Sequence, residues 1–409
     1  NNLHFNSNKK YNYSAELRFM NNHSFIAKTF AGMEPLLAEE LASIGASHIK
    51  TLNRSVYFEG GMDVLYRANY YCRTALRILW RVKMFQFQNN DQFYQEIYQF
   101  EADRYLNPNE SLAFSAQIHN SIFKTPLFAS MLAKDAVCDR FRDHYNERPD
   151  VDKENPHVLF HLHIFNNECH LFLDSSVESL HKRGYRMGYH PAPINEVVAA
   201  GMIMLSGWKG ETDLIDFMCG SGTILMEAAM IALRIPAGFY RNQWGFMRWK
   251  NFDPQLWKKV KEEEQILEDV KIELYGSDIS ADSIRVAKNQ SREAGLGDFI
   301  HFKVSNLTDT RPTRKPAMVI INPPYGERLK SDNLLSLYKQ IGDTLKQQYT
   351  GCKAFIISSD LEAMKNIGLK TTARHQLYNG ALECKYWGYD LYDGTKKGGK
   401  EHHSPKKEK

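Results

Sequence analysis

The stretch that most restricts this fold is Leu214-Ile215-Asp216-Phe217-Met218, running into Cys219-Gly220-Ser221-Gly222-Thr223 and then an amphipathic run over 224–233. An apolar strand, a glycine turn and a helix in that order open a βαβ unit, and such units build open sheets that bind ligands at their carboxyl edge. The glycines let a ligand approach the backbone, and the helix start offers N–H groups with no partner of their own. A dinucleotide fingerprint needs a third glycine where Leu225 stands, and a phosphate-cradling loop needs a Lys-Ser/Thr pair. Neither is present. The turn therefore suits a ligand that carries a carboxylate and no pyrophosphate, such as S-adenosylmethionine.

Two further strand ends complete the pattern. The apolar run Ala317-Met318-Val319-Ile320-Ile321 ends in Asn322-Pro323-Pro324-Tyr325. Such an end suits a planar base bearing an exocyclic amine. The Asn322 oxygen can accept from the N–H₂, and Pro323 offers a carbonyl but no N–H. Tyr325 supplies a stacking face, worth about 1–3 kcal/mol per base. Leu274-Tyr275-Gly276-Ser277-Asp278 is a short strand with an acidic end, where a carboxylate can accept from both ribose hydroxyls. Asp278 could instead cap the helix that Ser280 opens. The gap from Asp216 to Asp278 is longer than a simple βαβ unit needs, and the excess, residues 235–271, is first aromatic and then charged and helical.

These motifs resemble class I S-adenosylmethionine-dependent methyltransferases acting on exocyclic or amide nitrogens. More closely, the chain resembles the THUMP-domain guanine-N2 methyltransferases of ribosomal RNA. That likeness also rests on Phe25-Ile26-Ala27-Lys28-Thr29-Phe30-Ala31-Gly32-Met33-Glu34, on Leu180-His181-Lys182-Arg183-Gly184-Tyr185-Arg186, on Pro193-Ile194-Asn195-Glu196, and on Trp244-Gly245-Phe246 in the long insertion. It implies an α/β chain: a Rossmann-like catalytic domain preceded by a ferredoxin-like segment and an α/β THUMP domain that grips RNA. Catalysis would fall to Asn322, Pro323, Pro324 and Tyr325. The cofactor, S-adenosylmethionine, would be held by Glu196, Asp216, Cys219, Gly220, Ser221, Gly222, Thr223, Asp278, Ile279, Asn306 and Asn322. Lys182, Arg183, Tyr185 and Arg186 would contact RNA, three cations and an aromatic within five residues, although a solvated linker has the same composition. The implied product is N2-methylguanosine in large-subunit (23S) ribosomal RNA. A transfer-RNA guanine-N2 enzyme and a DNA adenine-N6 enzyme are the alternatives, since the second shares Asn-Pro-Pro-Tyr. In one departure, Asn306 stands where the family has an Asp facing the adenine. The single Cys-Gly-Ser-Gly-Thr turn fits the form not fused to a second methyltransferase domain.

Composition limits the rest. The chain has 409 residues, 43% apolar and 24% charged, which suits a soluble protein of two or three domains. Neither a membrane span nor a secretory leader is visible. Six cysteines lie scattered without paired spacing, so no metal site or disulfide framework is expected and a reducing cytoplasm fits. Net charge is only +4, so RNA affinity must come from local basic patches. Arg140, Arg142 and Arg148 form a weaker one. Residues 1–21 read as disordered or vector-derived. A ferredoxin-like segment over 22–65, a THUMP domain over 66–176, a methyltransferase domain over 177–392 and a basic disordered tail over 393–409 follow. Within the front half, strands are expected at 24–30, 51–58, 78–85 and 111–119, helices at 34–44, 62–76 and 125–141, and a hairpin around Asn166-Asn167.

Overall fold

The computed structural model describes residues 22–186, 194–267, 270–325 and 331–392. The expected disordered start and basic tail lie outside them, as does Pro193. No helix among the described residues is long and apolar enough to cross a membrane.

Two sheets organise the chain. The front half runs β1 (His23–Lys28), α1 (Glu34–Ser43), β2 (Ser47–Leu52), β3 (Ser55–Gly60), α2 (Met62–Tyr71), β4 (Arg77–Gln86), α3 (Asn90–Tyr98), β5 (Ser111–His119), α4 (Pro126–Tyr145), β6 (Asp150–Val151), β7 (Val158–Phe165) and β8 (Glu168–Asp174). Its strands form one eight-stranded sheet in the order β2-β3-β1-β4-β8-β7-β5-β6. The ferredoxin-like and THUMP portions therefore share a continuous sheet, joined where β4 pairs β1 on one side and β8 on the other. Alternation puts Phe25, Ala27, Phe58, Trp80, Phe160 and Leu162 into the core. Ser24, Lys28, Tyr57, Arg77 and His161 fall on the opposite, open face.

Local chemistry sets most boundaries. Thr125 accepts from the Phe128 amide at 3.2 Å and starts α4 as expected. Asn166 and Asn167 both take positive φ, 50° and 59°, closing the β7–β8 hairpin. Two expectations fail. The single strand over 51–58 is a hairpin of β2 and β3, because Arg54 turns with φ 53°. The helix expected over 62–76 stops at Tyr71. The amides of Arg73 and Thr74 donate instead to the Glu40 carboxylate, at 2.6 and 2.9 Å.

The second half runs α5 (Glu196–Leu205), β9 (Asp213–Asp216), α6 (Thr223–Ala232), α7 (Pro254–Glu262), β10 (Leu274–Asp278), α8 (Ala281–Glu293), β11 (Ile300–Val304), β12 (Ala317–Ile321), α9 (Ser331–Gln348), β13 (Lys353–Ser358), α10 (Leu361–Asn366), β14 (Ala373–Asn379) and β15 (Leu382–Asp390). The sheet order is β11-β10-β9-β12-β13-β15-β14, parallel except for β15, which is antiparallel to both of its neighbours. The order reverses between β9 and β12, the switch point where such sheets bind ligands. Helix α6 is buried on nearly every side rather than amphipathic.

The long insertion after α6 belongs physically to the front half. Trp244, Phe246, Trp249 and Trp257 pack into the same core as Tyr66, Tyr70 and Trp80. Arg67 of α2 grips Glu263 at 2.7 Å, and the Tyr71 hydroxyl donates to the Val260 carbonyl at 3.0 Å.

Candidate active site

Three strand ends meet at the switch point. After β9 the chain turns through Gly220 (φ 53°) and Gly222 (φ 82°) into α6, whose first amides have no side-chain cap. The two glycines serve different ends. A Cβ on Gly222 would lie 2.9 Å from the Phe302 ring, so close packing of turn and sheet excludes it. A Cβ on Gly220 would meet nothing within 4 Å: it would project into the open cradle.

Asp278 ends β10 beside that turn. Its Oδ2 accepts the Gly220 amide at 2.9 Å and its Oδ1 accepts the Ser280 amide at 2.9 Å. A carboxylate has about four lone-pair positions, so two stay open for a pair of vicinal hydroxyls. The alternatives for Asp278 are thus not exclusive, because one oxygen steadies the next helix while Ser280 does the capping itself. Ile279 is 76% exposed and Val304, the parallel partner of Asp278 on β11, is 48% exposed. Two uncovered aliphatic side chains beside the carboxylate suit a flat ring. Asn306 accepts from the amide and hydroxyl of Thr308, both at 3.2 Å, so its expected acceptor already serves a local cap.

Asp216, at the end of β9, is 1% exposed and accepts the Met218 amide at 3.1 Å. Burial pushes its carboxyl up to about 8, with the Asp278 charge adding to the effect. Cys219, Ser221 and Thr223 are buried in the turn.

Asn322 follows β12, which pairs with β9 in parallel at Val319 and Ile215, so Asn322 stands alongside the start of the glycine turn. Its Oδ1 is buried with no hydrogen-bond partner among the described residues. The Pro323 carbonyl likewise has no donor among them, while the Pro324 carbonyl accepts from the Tyr338 hydroxyl at 3.4 Å. Buried polar atoms are rarely left unpaired, so an orphaned acceptor at a sheet edge fits a donor brought by a ligand. Tyr325 departs from expectation. It is 6% exposed among the core residues, and Asn379 of β14 donates to its hydroxyl at 2.8 Å. Its ring is a wall of the site and offers no free stacking face in this conformation.

The basic segment before α5 is corrected most. Arg183 is 1% exposed, pairs with the fully buried Glu227 of α6 at 3.3 Å, and donates to the carbonyls of Leu180 and Arg73 at 2.9 and 2.6 Å. The Tyr185 hydroxyl donates to the same Glu227 at 3.0 Å. Arg186 binds Glu196, the Ile194 carbonyl at 2.9 Å and the Thr223 hydroxyl at 3.1 Å. The segment is a strap on the catalytic helix, and Arg183 and Tyr185 are not available to RNA. Glu196, also buried, is held by Arg186, which donates as well to Thr223 at the start of α6. Of the four residues expected to contact RNA, only Lys182 is largely exposed, in an i,i+4 pair with Glu178. Of the weaker basic patch, Arg140 and Arg142 pair with Asp103 and Asp139. The strap carries no local cue to its burial, because the partner that takes Arg183 out of water is 44 residues away.

Glycine cradle, half-used carboxylate, bare aliphatics and orphaned amide together fit S-adenosylmethionine and an amine-bearing base.

Comparison with known proteins agrees. A model of the RMKL-like methyltransferase domain matches residues 183–387. Models of an RlmL ferredoxin-like domain and of the THUMP domain match residues 24–79 and 87–174. A candidate RNA methyltransferase of Synechocystis sp. is 35% identical over 90% of this chain and 97% of its own length. The ribosomal RNA large subunit methyltransferase K/L of Methylococcus capsulatus is 34% identical over 90% of this chain, which spans only 51% of that relative. Among solved structures, the candidate methyltransferase SMU.472, complexed with S-adenosylhomocysteine (SAH), superposes with a TM-score of 0.83 at 27% identity, covering 92% of this chain and 100% of its own.

Proposed function

The chain belongs to the RMKL-like methyltransferase family, and from that premise we propose that it methylates the exocyclic N2 of a guanosine in large-subunit ribosomal RNA. The observation that carries this reading is the buried, unpaired Oδ1 of Asn322 beside the glycine turn.

The cofactor is S-adenosylmethionine, which when bound supplies an electrophilic methyl group on a sulfonium. Gly220 and the free amides at the start of α6 would take its carboxylate end, Asp278 its ribose hydroxyls, and Ile279 with Val304 its flat ring. The chain's own contribution to the chemistry lies at Asn322 and Pro323. The N2 lone pair of guanine is delocalised into the ring and nucleophilically weak. Two acceptors, the Asn322 Oδ1 and the Pro323 carbonyl, hold both N–H bonds and favour a more tetrahedral nitrogen with a directed lone pair. Alignment of that kind supplies most of the rate, without a covalent enzyme intermediate. Methyl transfer would break the sulfonium's carbon–sulfur bond and leave a neutral thioether, and the nitrogen, strongly acidic once it carries a fourth bond, would give its extra proton to water. A guanine within a helix must first be extruded to reach the platform. Large-subunit RNA is favoured over transfer RNA by the name of the Methylococcus relative and by the THUMP and RlmL-type front half.

The test is to incubate unmodified large-subunit RNA, transfer RNA and DNA separately with the protein and labelled cofactor, then digest to nucleosides. Label in N2-methylguanosine from the ribosomal RNA is expected. Label in N6-methyladenosine would overturn the base assignment, and label only in transfer RNA would overturn the substrate.

A further inference from the structure

The basic strap expected to hold RNA is buried, yet the open face of the front sheet carries an unclaimed positive concavity. It encloses about 480 Å³ and is lined by Lys28, Arg54, Arg77, Gln117, His161 and His163 among others, with no carboxylate among its described lining residues. Lys28 and Arg77 sit directly opposite each other in the β1–β4 register, an arrangement that like charges disfavour. Arg77 is neutralised behind the surface by the buried Asp174 and also donates to the Val177 carbonyl at 2.7 Å. The Lys28 ammonium has no hydrogen-bond or ion-pair partner among the described residues, while its backbone carbonyl accepts the Leu76 amide at 2.7 Å. The Arg54 guanidinium makes only a ring contact, 5.2 Å above the Tyr378 centroid. The Lys28 and Arg54 side chains thus carry no ion pair among the described residues, Lys28 on the open sheet face and Arg54 in the β2–β3 turn, where the nearby Glu34 carboxylate is taken up by the Arg54 and Gly32 amides at 2.9 and 2.7 Å. Burial lowers the proton affinity of Lys28, and nearby Lys28 adds to the burial that pushes His163 down to about 3.

The position of Arg54 gives the patch direction. Tyr378, beneath it, lies on β14 next to Asn379, and Asn379 holds the Tyr325 hydroxyl at the end of the catalytic platform. The end of β14 therefore joins the two contacts through its backbone: Tyr378 lies under Arg54, and its chain neighbour Asn379, facing the other way, holds the Tyr325 edge. We propose that the Lys28–Arg54 concavity holds a backbone phosphate of the RNA strand flanking the target nucleotide, so that the front sheet sets which nucleotide reaches Asn322. This assignment rests on the RNA reading above and adds to it a specific contact surface. The occupant is an RNA phosphate, because Lys28 and Arg54 face the opening without an ion pair, Asp174 is buried behind Arg77, and β14 links the site to the platform.

The experiment uses the full chain. Lys28→Gln, Arg54→Gln and the double variant are compared with the wild type for RNA binding by fluorescence anisotropy across a salt series, for cofactor binding by calorimetry, and for kcat and KM on RNA. Each single variant should weaken RNA binding roughly three- to tenfold. Each should lower the salt slope by about one and raise KM with little change in kcat. Cofactor affinity and melting temperature should not move, and Lys28→Arg should restore binding. Lys258→Gln, on the remote helix α7, controls for a general loss of charge. Wild-type methylation of RNA together with unchanged KM and salt slope in the double variant would sink the phosphate site and leave the methyltransferase reading intact. An absence of RNA methylation by the wild type would instead fail the reading beneath it. Should Lys28→Gln lower the melting temperature, exposed Arg54→Gln decides the matter alone.

Discussion

The Gly220 amide donates to the Asp278 carboxylate at 2.9 Å, tying the turn after β9 to the end of β10. One side chain therefore both shapes the cradle and faces what fills it. Asp278→Ala should weaken S-adenosylmethionine binding by about 1.5–3 kcal/mol, the scale of hydrogen bonds to a charged acceptor. Calorimetry would show this directly, and an unchanged affinity would remove Asp278 from the site.

Asn322 should behave in the opposite way. Its orphaned oxygen faces the substrate amine, so Asn322→Ala should leave cofactor affinity within about twofold and reduce kcat by about 100-fold or more, the range seen on removing one positioned polar group. Loss of cofactor binding in a folded Asn322→Ala protein would show that the side chain serves the wrong ligand.

Arg183 and Glu227 should report on stability. Glu227→Ala strands a buried guanidinium and should destabilise the fold by about 3–5 kcal/mol in denaturant titration. The double change Arg183→Leu with Glu227→Leu should cost less than Glu227→Ala alone, because it removes both charges together. RNA affinity measured on the folded fraction of Arg183→Gln should keep its salt slope. A slope lowered by one phosphate contact would restore Arg183 to the RNA surface.

Asp216 gives a pH signature. Burial raises its folded pKa to about 8, above the ordinary carboxylate value, so the native state holds a proton that the unfolded chain releases. Its contribution is intact below about pH 4 and is lost as pH rises toward 8, by at most about 1.4 kcal/mol per pH unit. The melting temperature of the cofactor-free protein should fall across that window, and Asp216→Asn should flatten the fall. Identical pH profiles for the two proteins would mean that Asp216 stays ionised.

The legible parts of this chain are those whose causes are local. Gly222, Asp278 and Asn322 can be read because a turn or a strand end needs those residue types where they stand. The hairpin at Asn166-Asn167 is legible for the same reason. Arg183 is the opposite case. Its neighbours make it look like a solvated cation, and only Glu227 on a later helix removes it from water. The end of α2 was misplaced similarly, because the Glu40 carboxylate that takes the Arg73 and Thr74 amides is some thirty residues back in the chain. The tryptophans of the insertion belong to a core whose other half lies near Tyr66, which periodicity within 235–271 could not reveal. The Lys28–Arg54 concavity needs a register between strands, and no single strand contains it.

The place of β15 bears on how the molecule is made. The eight-stranded sheet is complete once Asp174 has been synthesised. The seven-stranded sheet is not, because β15, which follows both β13 and β14 in the chain, lies between them and joins them. On the ribosome the front half can close its sheet while more than half of the catalytic chain is still untranslated. A nascent chain would then display its basic sheet face before it owns a working methyl-transfer site.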